Sequence, residues 1–153
     1  MTSTKTPTTQ SRIQRIGDAI VRFILRSPLH SLLSKRLLII TVSGRKTGRE
    51  YVNPVGYAEY EGHLLIGTAA TWRHNLIPGV PVRILLRGNH IQAAHEVITD
   101  EPRAAALYRE ILTQNPTHAR FAKIHLNTDG TVNLPTLRAA LSRGTAIVRL
   151  RPL

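Results

Sequence analysis

The chain has 153 residues, 42% of them hydrophobic, which suits one globular domain with one core. Because it has no cysteine, it cannot form disulfides, iron–sulfur clusters or cysteine-ligated zinc sites. The net charge of +12 predicts an acidic partner: an anionic small molecule, an anionic membrane surface or nucleic acid. Aromatic residues for base stacking are few and no nucleic-acid-binding motif is present, so we expect no nucleic-acid partner.

Residues 1–28 are predicted to be a disordered, Thr-rich leader followed by an amphipathic helix, with the folded domain at 29–153. Within residues 12–26, arginines and apolar side chains fall on separate sectors of a helix. Two interpretations stay open: the apolar stripe packs on the domain, or the helix lies on an anionic membrane surface. Without a signal sequence in 1–10 or a membrane-span-length apolar stretch, we expect a cytoplasmic protein, either free or peripheral on the inner face of the cell membrane.

Six short apolar or alternating runs, separated by turn signals, predict antiparallel strands and favour a small β-barrel. They span residues 37–43, 51–60, 63–68, 81–87, 90–98 and 145–151. Two helices are predicted late in the chain, at 101–114 after the cap Asp100 and at 134–143 after the cap Asn133. A further helical turn is expected within residues 118–126. The fold class is therefore mainly β with helices (α+β).

The first predicted strand runs directly into a basic turn, Ser43-Gly44-Arg45-Lys46-Thr47-Gly48-Arg49. Such a turn can direct backbone N–H groups, guanidinium forks and an ammonium group at one anion. It therefore favours a site for a phosphorylated or polycarboxylate ligand, although an ordinary solvated hairpin turn fits the local sequence equally well. It is not a Walker A loop, because no G-x-x-x-x-G-K-[ST] pattern is present.

A second segment follows the strand at 63–68 and contains the only tryptophan: Thr68-Ala69-Ala70-Thr71-Trp72-Arg73-His74-Asn75-Leu76. Small residues let a ligand ring approach the backbone, Trp72 offers an apolar wall, and Asn75 offers a donor and an acceptor. In the alternative interpretation Trp72 and Leu76 are core residues and Asn75 is a cap.

The sequence contains few side chains that could catalyse a reaction without a cofactor. The chain has no H-E-x-x-H, G-x-S-x-G or G-x-G-x-x-G pattern, and its histidine spacings do not suggest a ligand set, so we expect no metal site. Its 9 carboxylates include no close pair typical of acid–base catalysis. If the protein is an enzyme, a cofactor is expected to carry the reaction.

The order of the two segments, Gly44-Arg45-Lys46-Thr47-Gly48 and then Trp72-Arg73-His74-Asn75-Leu76, resembles the deazaflavin-dependent nitroreductase family of the flavin/deazaflavin oxidoreductase superfamily. The resemblance covers about residues 29–153. It implies a split β-barrel related to pyridoxamine-phosphate oxidase-like proteins, with the deazaflavin coenzyme F420 as cofactor. The implied activity is hydride transfer from the reduced coenzyme to a small-molecule electron acceptor, a quinone or nitro compound. Relatives often dimerise, so a homodimer stays open.

The resemblance also implies roles for individual residues. The phosphate and glutamyl tail of the coenzyme are assigned to Arg45, Lys46, Thr47, Gly48 and Arg49. The ring system is assigned to Thr68, Ala69, Ala70, Trp72, Asn75 and Leu76. The resemblance assigns no catalytic side chain, and none need act as an acid or base; if one protonates the product, the candidates are Tyr108, His118 and Thr68.

Departures from the family's usual pattern, above all the shortened turn at residues 69–71, keep a second hypothesis open. The turn before Trp72 is shorter than usual, Arg73 stands where an aromatic residue is common, and His118 stands where an aromatic residue often lies near the substrate. The alternative is a non-enzymatic split barrel that is associated with a membrane and binds a flavin such as FMN, a lipid-like ligand or no cofactor.

Overall fold

A computed structural model describes residues 36–153, which form a curled antiparallel sheet of seven strands with three α-helices and a 3₁₀ helix. The strands are β1 (Leu37–Ser43), β2 (Glu50–Gly56), β3 (Ala58–Tyr60), β4 (His63–Thr68), β5 (Val82–Leu86), β6 (Asn89–Ile98) and β7 (Ala146–Pro152). The helices are the 3₁₀ helix (Thr71–Asn75), α1 (Glu101–Gln114), α2 (His118–Ala122) and α3 (Leu134–Ser142). The predicted leader and helix at 12–26 and the domain boundary near residue 28 lie outside the described residues and stay predictions.

The strand order shows that the sheet closes on itself. The order is β2-β1-β5-β6-β7-β4-β3, so the two edge strands, β2 and β3, are consecutive in the chain. Only Tyr57 separates them, and one residue spans at most about 3.6 Å. The sheet must therefore curl until its two edges meet at Tyr57, which makes a barrel. The predicted class, mainly β with an antiparallel barrel, is confirmed.

The prediction of one strand at 51–60 is wrong, and the sheet has seven strands rather than about six. The chain pairs with β1 as far as Gly56 and with β4 from Ala58 onward. At Tyr57 it passes from one partner to the other: the Tyr57 N–H donates to the Arg36 carbonyl at 3.0 Å, and the side chain is buried. One continuous stretch of sequence therefore forms both edge strands of the sheet, β2 and β3.

Two apolar cores lie on the two faces of β4 and β7. The barrel core includes Leu38, Ile40, Val42, Leu64, Ile66, Ile84, Val148 and Leu150. The second core, between the sheet and the helices, includes Leu65, Ile98, Tyr108, Ile111, Leu112, Leu137 and Ile147. Strand β4 contributes to both because its successive side chains point to opposite faces. A strand segment buried on both faces has a continuous apolar sequence, as residues 64–66 of β4 and 146–148 of β7 do.

The two longer helices begin at the predicted caps. Asp100 Oδ2 accepts a hydrogen bond from the Arg103 N–H at 3.2 Å, and Asn133 Oδ1 accepts one from the Thr136 N–H at 3.1 Å. Helix α2 is the helical turn expected within 118–126. Within residues 36–153, no helix combines the length and the apolar character needed to cross a membrane.

Candidate functional site

The basic turn joins β1 to β2 and is closed by its own backbone. The Gly44 N–H donates to the Arg49 carbonyl at 2.7 Å, and the Gly48 N–H donates to the Gly44 carbonyl at 2.9 Å. Gly48 has a φ of +67°, a left-handed conformation that glycine adopts without steric strain. Because backbone bonds hold the turn, its side chains are not needed to close it, and Arg45, Lys46 and Arg49 are exposed.

The turn contacts the tryptophan-containing segment through Arg45. The Arg45 backbone N–H donates to Asn75 Oδ1 at 3.4 Å, and Arg45 Nη2 donates to the Leu76 carbonyl at 3.1 Å. These bonds connect the β1–β2 hairpin to the end of the 3₁₀ helix. The two segments that the sequence singled out separately are therefore neighbours in the fold.

A cleft of about 750 Å³ lies between the turn and the 3₁₀ helix. Its lining residues are Gly44, Arg45, Lys46, Thr47, Tyr51, Asn53, Ala70, Thr71, Trp72, His74 and Asn75. This volume is in the range of small-molecule and cofactor sites, which combine apolar walls with a few polar groups.

The aromatic wall of the cleft is also part of the barrel core. Trp72 is 8% exposed and packs with the apolar side chains inside the barrel. Leu76 is buried in the same core, and it is the Leu76 carbonyl that contacts Arg45. The alternative interpretation of both as core residues is therefore correct, and Trp72 lines the cleft as well. Its position is fixed by packing, so the wall is preformed.

A glycine lets an aromatic ring approach the turn. A Cβ on Gly44 would lie 3.1 Å from Tyr51 Cε2 and 3.3 Å from Thr47 Oγ1, closer than most Cβ contacts. On Tyr51, the ring centroid lies 5.8 Å from the Arg49 guanidinium, within cation–π range. Gly44 thus allows Tyr51 and the basic turn to form one continuous wall.

The cleft carries positive charge that no carboxylate in the described part of the chain neutralises. Within residues 36–153, every ion pair involves other cations: Arg83 with Glu50, Arg87 with Glu59, Arg103 with Glu96 and Asp100, Arg149 with Glu96, and Arg138 with Glu101. Arg45 and Lys46 line the cleft, and Arg49 lies beside it. This arrangement favours an anionic ligand. The described part of the chain, residues 36–153, holds no group of three or more metal-ligating side chains.

The structure gathers part of the predicted site in this cleft. The predicted residues that line it are Arg45, Lys46, Thr47, Ala70, Trp72 and Asn75. The predicted residues that do not line it are Gly48, Arg49, Thr68, Ala69 and Leu76. Several of these hold the lining residues in place; for example, Thr68 Oγ1 accepts a hydrogen bond from the Ala70 N–H at 3.0 Å.

Sequence reasoning missed Gly44, Tyr51, Asn53, Thr71 and His74 as lining residues. A signal existed for Tyr51 and Asn53, because residues two apart on a strand share one face and both follow the basic turn. No such signal marked Thr71 and His74. The direction of the Thr71 and His74 side chains depends on the burial of Trp72, and that burial is set only once the barrel has folded.

The three candidate proton donors do not line the cleft. Tyr108 of α1 and His118 of α2 lie behind β4, on its helix-covered face. Burial raises the pKa of the Tyr108 hydroxyl and lowers the pKa of the His118 imidazole. At neutral pH Tyr108 is therefore protonated and His118 is uncharged. A role for these two residues or for Thr68 in protonating a product stays a prediction.

One protein family and several solved structures are similar to the chain. A profile of the family described as F420H(2)-dependent quinone reductase matches residues 15–134. No curated protein matches the chain.

Several solved structures resemble the fold. A structure described as an F420-H2 dependent reductase has 13% identity and a TM-score of 0.52, covering 76% of this chain and 95% of that one. One described as a domain-swapped dimer has 14% identity and a TM-score of 0.53, covering 95% and 100%. A conserved hypothetical protein from Mycobacterium tuberculosis has 14% identity and a TM-score of 0.51, covering 88% and 82%. At these identities the likeness shows a shared split-barrel fold.

Proposed function

Because the chain belongs to the F420H(2)-dependent quinone reductase family, it is an oxidoreductase that uses coenzyme F420, and we propose that the coenzyme binds in the cleft between the basic turn and the 3₁₀ helix. When bound, the reduced coenzyme supplies a hydride to an electron-poor organic acceptor such as a quinone or nitro compound. The observation that carries the proposal is the pair of hydrogen bonds from Arg45 to Asn75 and Leu76. They join the cationic turn and the tryptophan wall into one cleft.

The residues of the cleft fit an anionic coenzyme with a planar ring. A phosphodiester and a glutamyl tail need cations, and Arg45 and Lys46 line the cleft without a carboxylate partner among residues 36–153. A planar ring needs an apolar wall and small neighbours, which Trp72 and Ala70 provide. The two halves of the cleft therefore match the two halves of the coenzyme.

Arg45 can orient an anion because only part of its guanidinium is engaged. Its Nη2 donates to the Leu76 carbonyl, which fixes the plane of the fork, and the fork carries further N–H donors. A fork held in this way loses less side-chain freedom when an anion binds. Trp72 excludes water from the wall because the barrel core holds its indole ring. We assign binding and orientation to these residues and no bond-making step.

Ligand titration tests the proposal directly. We expect purified protein to bind oxidised and reduced F420, followed by coenzyme fluorescence, and to bind FMN more weakly. Arg45→Ala and Lys46→Ala should each weaken F420 binding about tenfold or more, as expected for loss of a charge-assisted hydrogen bond. Arg109→Ala is the matched control, because Arg109 lines a different cleft beside α1. A wild-type protein that binds FMN but not F420 would instead support the flavin-binding hypothesis.

A homodimer is a further proposal. It is supported by the structural neighbour that is described as a domain-swapped dimer. Light scattering coupled to size exclusion measures the mass in solution, and a mass of 17.0 kDa at all concentrations would contradict it.

Contact of residues 12–26 with an anionic membrane surface is also a proposal, supported by the separate arginine and apolar sectors of that sequence. Co-sedimentation with phosphatidylserine vesicles, compared between the full chain and a variant lacking residues 1–28, measures it. Equal binding of the two proteins would contradict it.

A further inference from the structure

Behind the cleft, two side chains from different helices converge on one glycine of β4. A Cβ on Gly67 would lie 2.5 Å from the Tyr108 hydroxyl oxygen and 2.8 Å from His118 Nε2. The two rings have their centroids 5.9 Å apart. Any side chain at position 67 would therefore force the Tyr108 or His118 ring to shift, and the two polar atoms share the space beside the Gly67 Cα.

Both polar atoms are buried and have no hydrogen-bond partner among residues 36–153. The Tyr108 side chain is fully buried among the apolar residues between the sheet and the helices. Leaving such a group unpaired costs free energy, and buried polar atoms in folded proteins are nearly always paired. The two atoms are also complementary. A buried phenol keeps its proton and donates it, whereas a buried neutral imidazole has one nitrogen that accepts.

We propose that a small movement of the two side chains lets the Tyr108 hydroxyl donate a hydrogen bond to His118 Nε2, and that this bond positions the turn at residues 68–70 at the cofactor cleft. The second half of this statement rests on the proposed function. Tyr108 and His118 touch neither coenzyme nor acceptor, so they are positioning residues.

The path from this pair to the cleft is short. Gly67 is followed by Thr68, the last residue of β4, whose hydroxyl accepts a hydrogen bond from the Ala70 N–H. The next residues are the 3₁₀ helix that carries Trp72 and Asn75 into the cleft. Contact between Gly67 and the hydrogen-bonded pair thus sets the distance between β4 and the helices that carry Tyr108 and His118. Weakening the pair lets the end of β4 shift, and with it Ala70, which lines the cleft.

Thermal unfolding of a double-mutant cycle tests the hydrogen bond. We expect Tyr108→Phe and His118→Leu each to lower the melting temperature, and the double variant to lose less than the sum of the two. His118→Gln, which retains an acceptor, should recover part of the loss. If the two atoms are unpaired, Tyr108→Phe removes a buried unpaired hydroxyl, so the melting temperature rises or stays the same and the effects add. That result would overturn the proposal.

F420 titration tests the positioning role. We expect Tyr108→Phe to weaken binding of oxidised F420 about threefold to tenfold, with His118→Gln closer to wild type, because a displaced supporting residue loosens a preorganised site. The control Arg109→Ala, on the solvent side of the same helix, should bind as wild type does. Unchanged affinity in Tyr108→Phe would overturn the positioning role. A wild type that binds no F420 would overturn the proposed function and the positioning role together, while the unfolding cycle still decides the hydrogen bond.

Discussion

The backbone nitrogen of Arg45 lies 3.4 Å from Oδ1 of Asn75, across 30 positions of sequence. A second bond runs from the Arg45 side chain to the Leu76 carbonyl. Together the two bonds join the β1–β2 hairpin, at one end of the strand order, to the 3₁₀ helix that follows β4, near the other end. Neither segment forms a site alone: one has charge without a wall, and the other has a wall without charge. The cleft exists because the barrel brings them together.

Coenzyme affinity should depend on salt. The cations that line or flank the cleft are exposed, so added salt screens their attraction for an anionic ligand. We expect F420 affinity to fall about threefold or more when salt is raised from about 0.05 M to about 0.5 M. Lys46→Ala should show a shallower dependence than wild type. Fluorescence titration at several salt concentrations measures both slopes, and a flat response in wild type would contradict a cationic coenzyme site.

Gly44→Ala should weaken coenzyme binding with only a small loss of stability. The added Cβ would press on the Tyr51 ring at 3.1 Å and displace this wall of the cleft, although the ring is partly exposed and can move. Gly56→Ala is the matched control, because its Cβ would meet only the Arg36 carbonyl, at 3.8 Å. Titration and thermal unfolding of both variants separate binding from stability. Equal affinity of the two variants would remove Tyr51 from the proposed site.

Stability should fall as the pH drops below the ordinary histidine pKa of 6.5, because burial lowers the pKa of His118 in the folded state. The unfolded chain then binds a proton that the folded chain does not, so this contribution is complete above pH 6.5 and is lost on acidification. The slope is at most about 1.4 kcal/mol per pH unit. Melting temperatures between about pH 8 and pH 5.5 measure it, since carboxylates titrate mainly below that range. The curve of His118→Gln should be flatter, and parallel curves would show that His118 is not the group responsible.

Removing the cap of α1 should destabilise the protein. Asp100 Oδ2 accepts from the Arg103 N–H, so Asp100→Ala leaves a helix-end donor without that partner. We expect a loss of about 1 kcal/mol, measured by chemical denaturation. Asp100→Asn retains the acceptor and serves as the control. A loss of the same size in both variants would assign the effect to the ion pair with Arg103 rather than to the cap.

Local chemistry made much of the fold predictable. Asp100 and Asn133 mark helix starts because their side chains satisfy backbone donors within a few residues. The basic turn was predictable because it directly follows an apolar strand. In each case the partners are close in sequence, so the pattern itself carries the information.

Features that depend on distant partners were not predictable in the same way. The break at Tyr57 depends on which strands become neighbours, and residues 51–60 themselves read as one strand. The closeness of Tyr108 and His118 to Gly67 depends on how two helices cover β4. The family resemblance supplied the pairing of the turn with the tryptophan segment, whereas Tyr51 and His74 entered the site only through the folded geometry.

The joint at Tyr57 leaves two sheet edges side by side, and each is poorly suited to recruit another strand. Strand β2 carries Pro54, which has no N–H to donate, and β3 has only the three residues Ala58–Tyr60. Short strands and prolines at exposed edges are the features that prevent neighbouring molecules from extending one another's sheets into aggregates. Within residues 36–153, these two edges therefore disfavour a sheet continued from one molecule to the next.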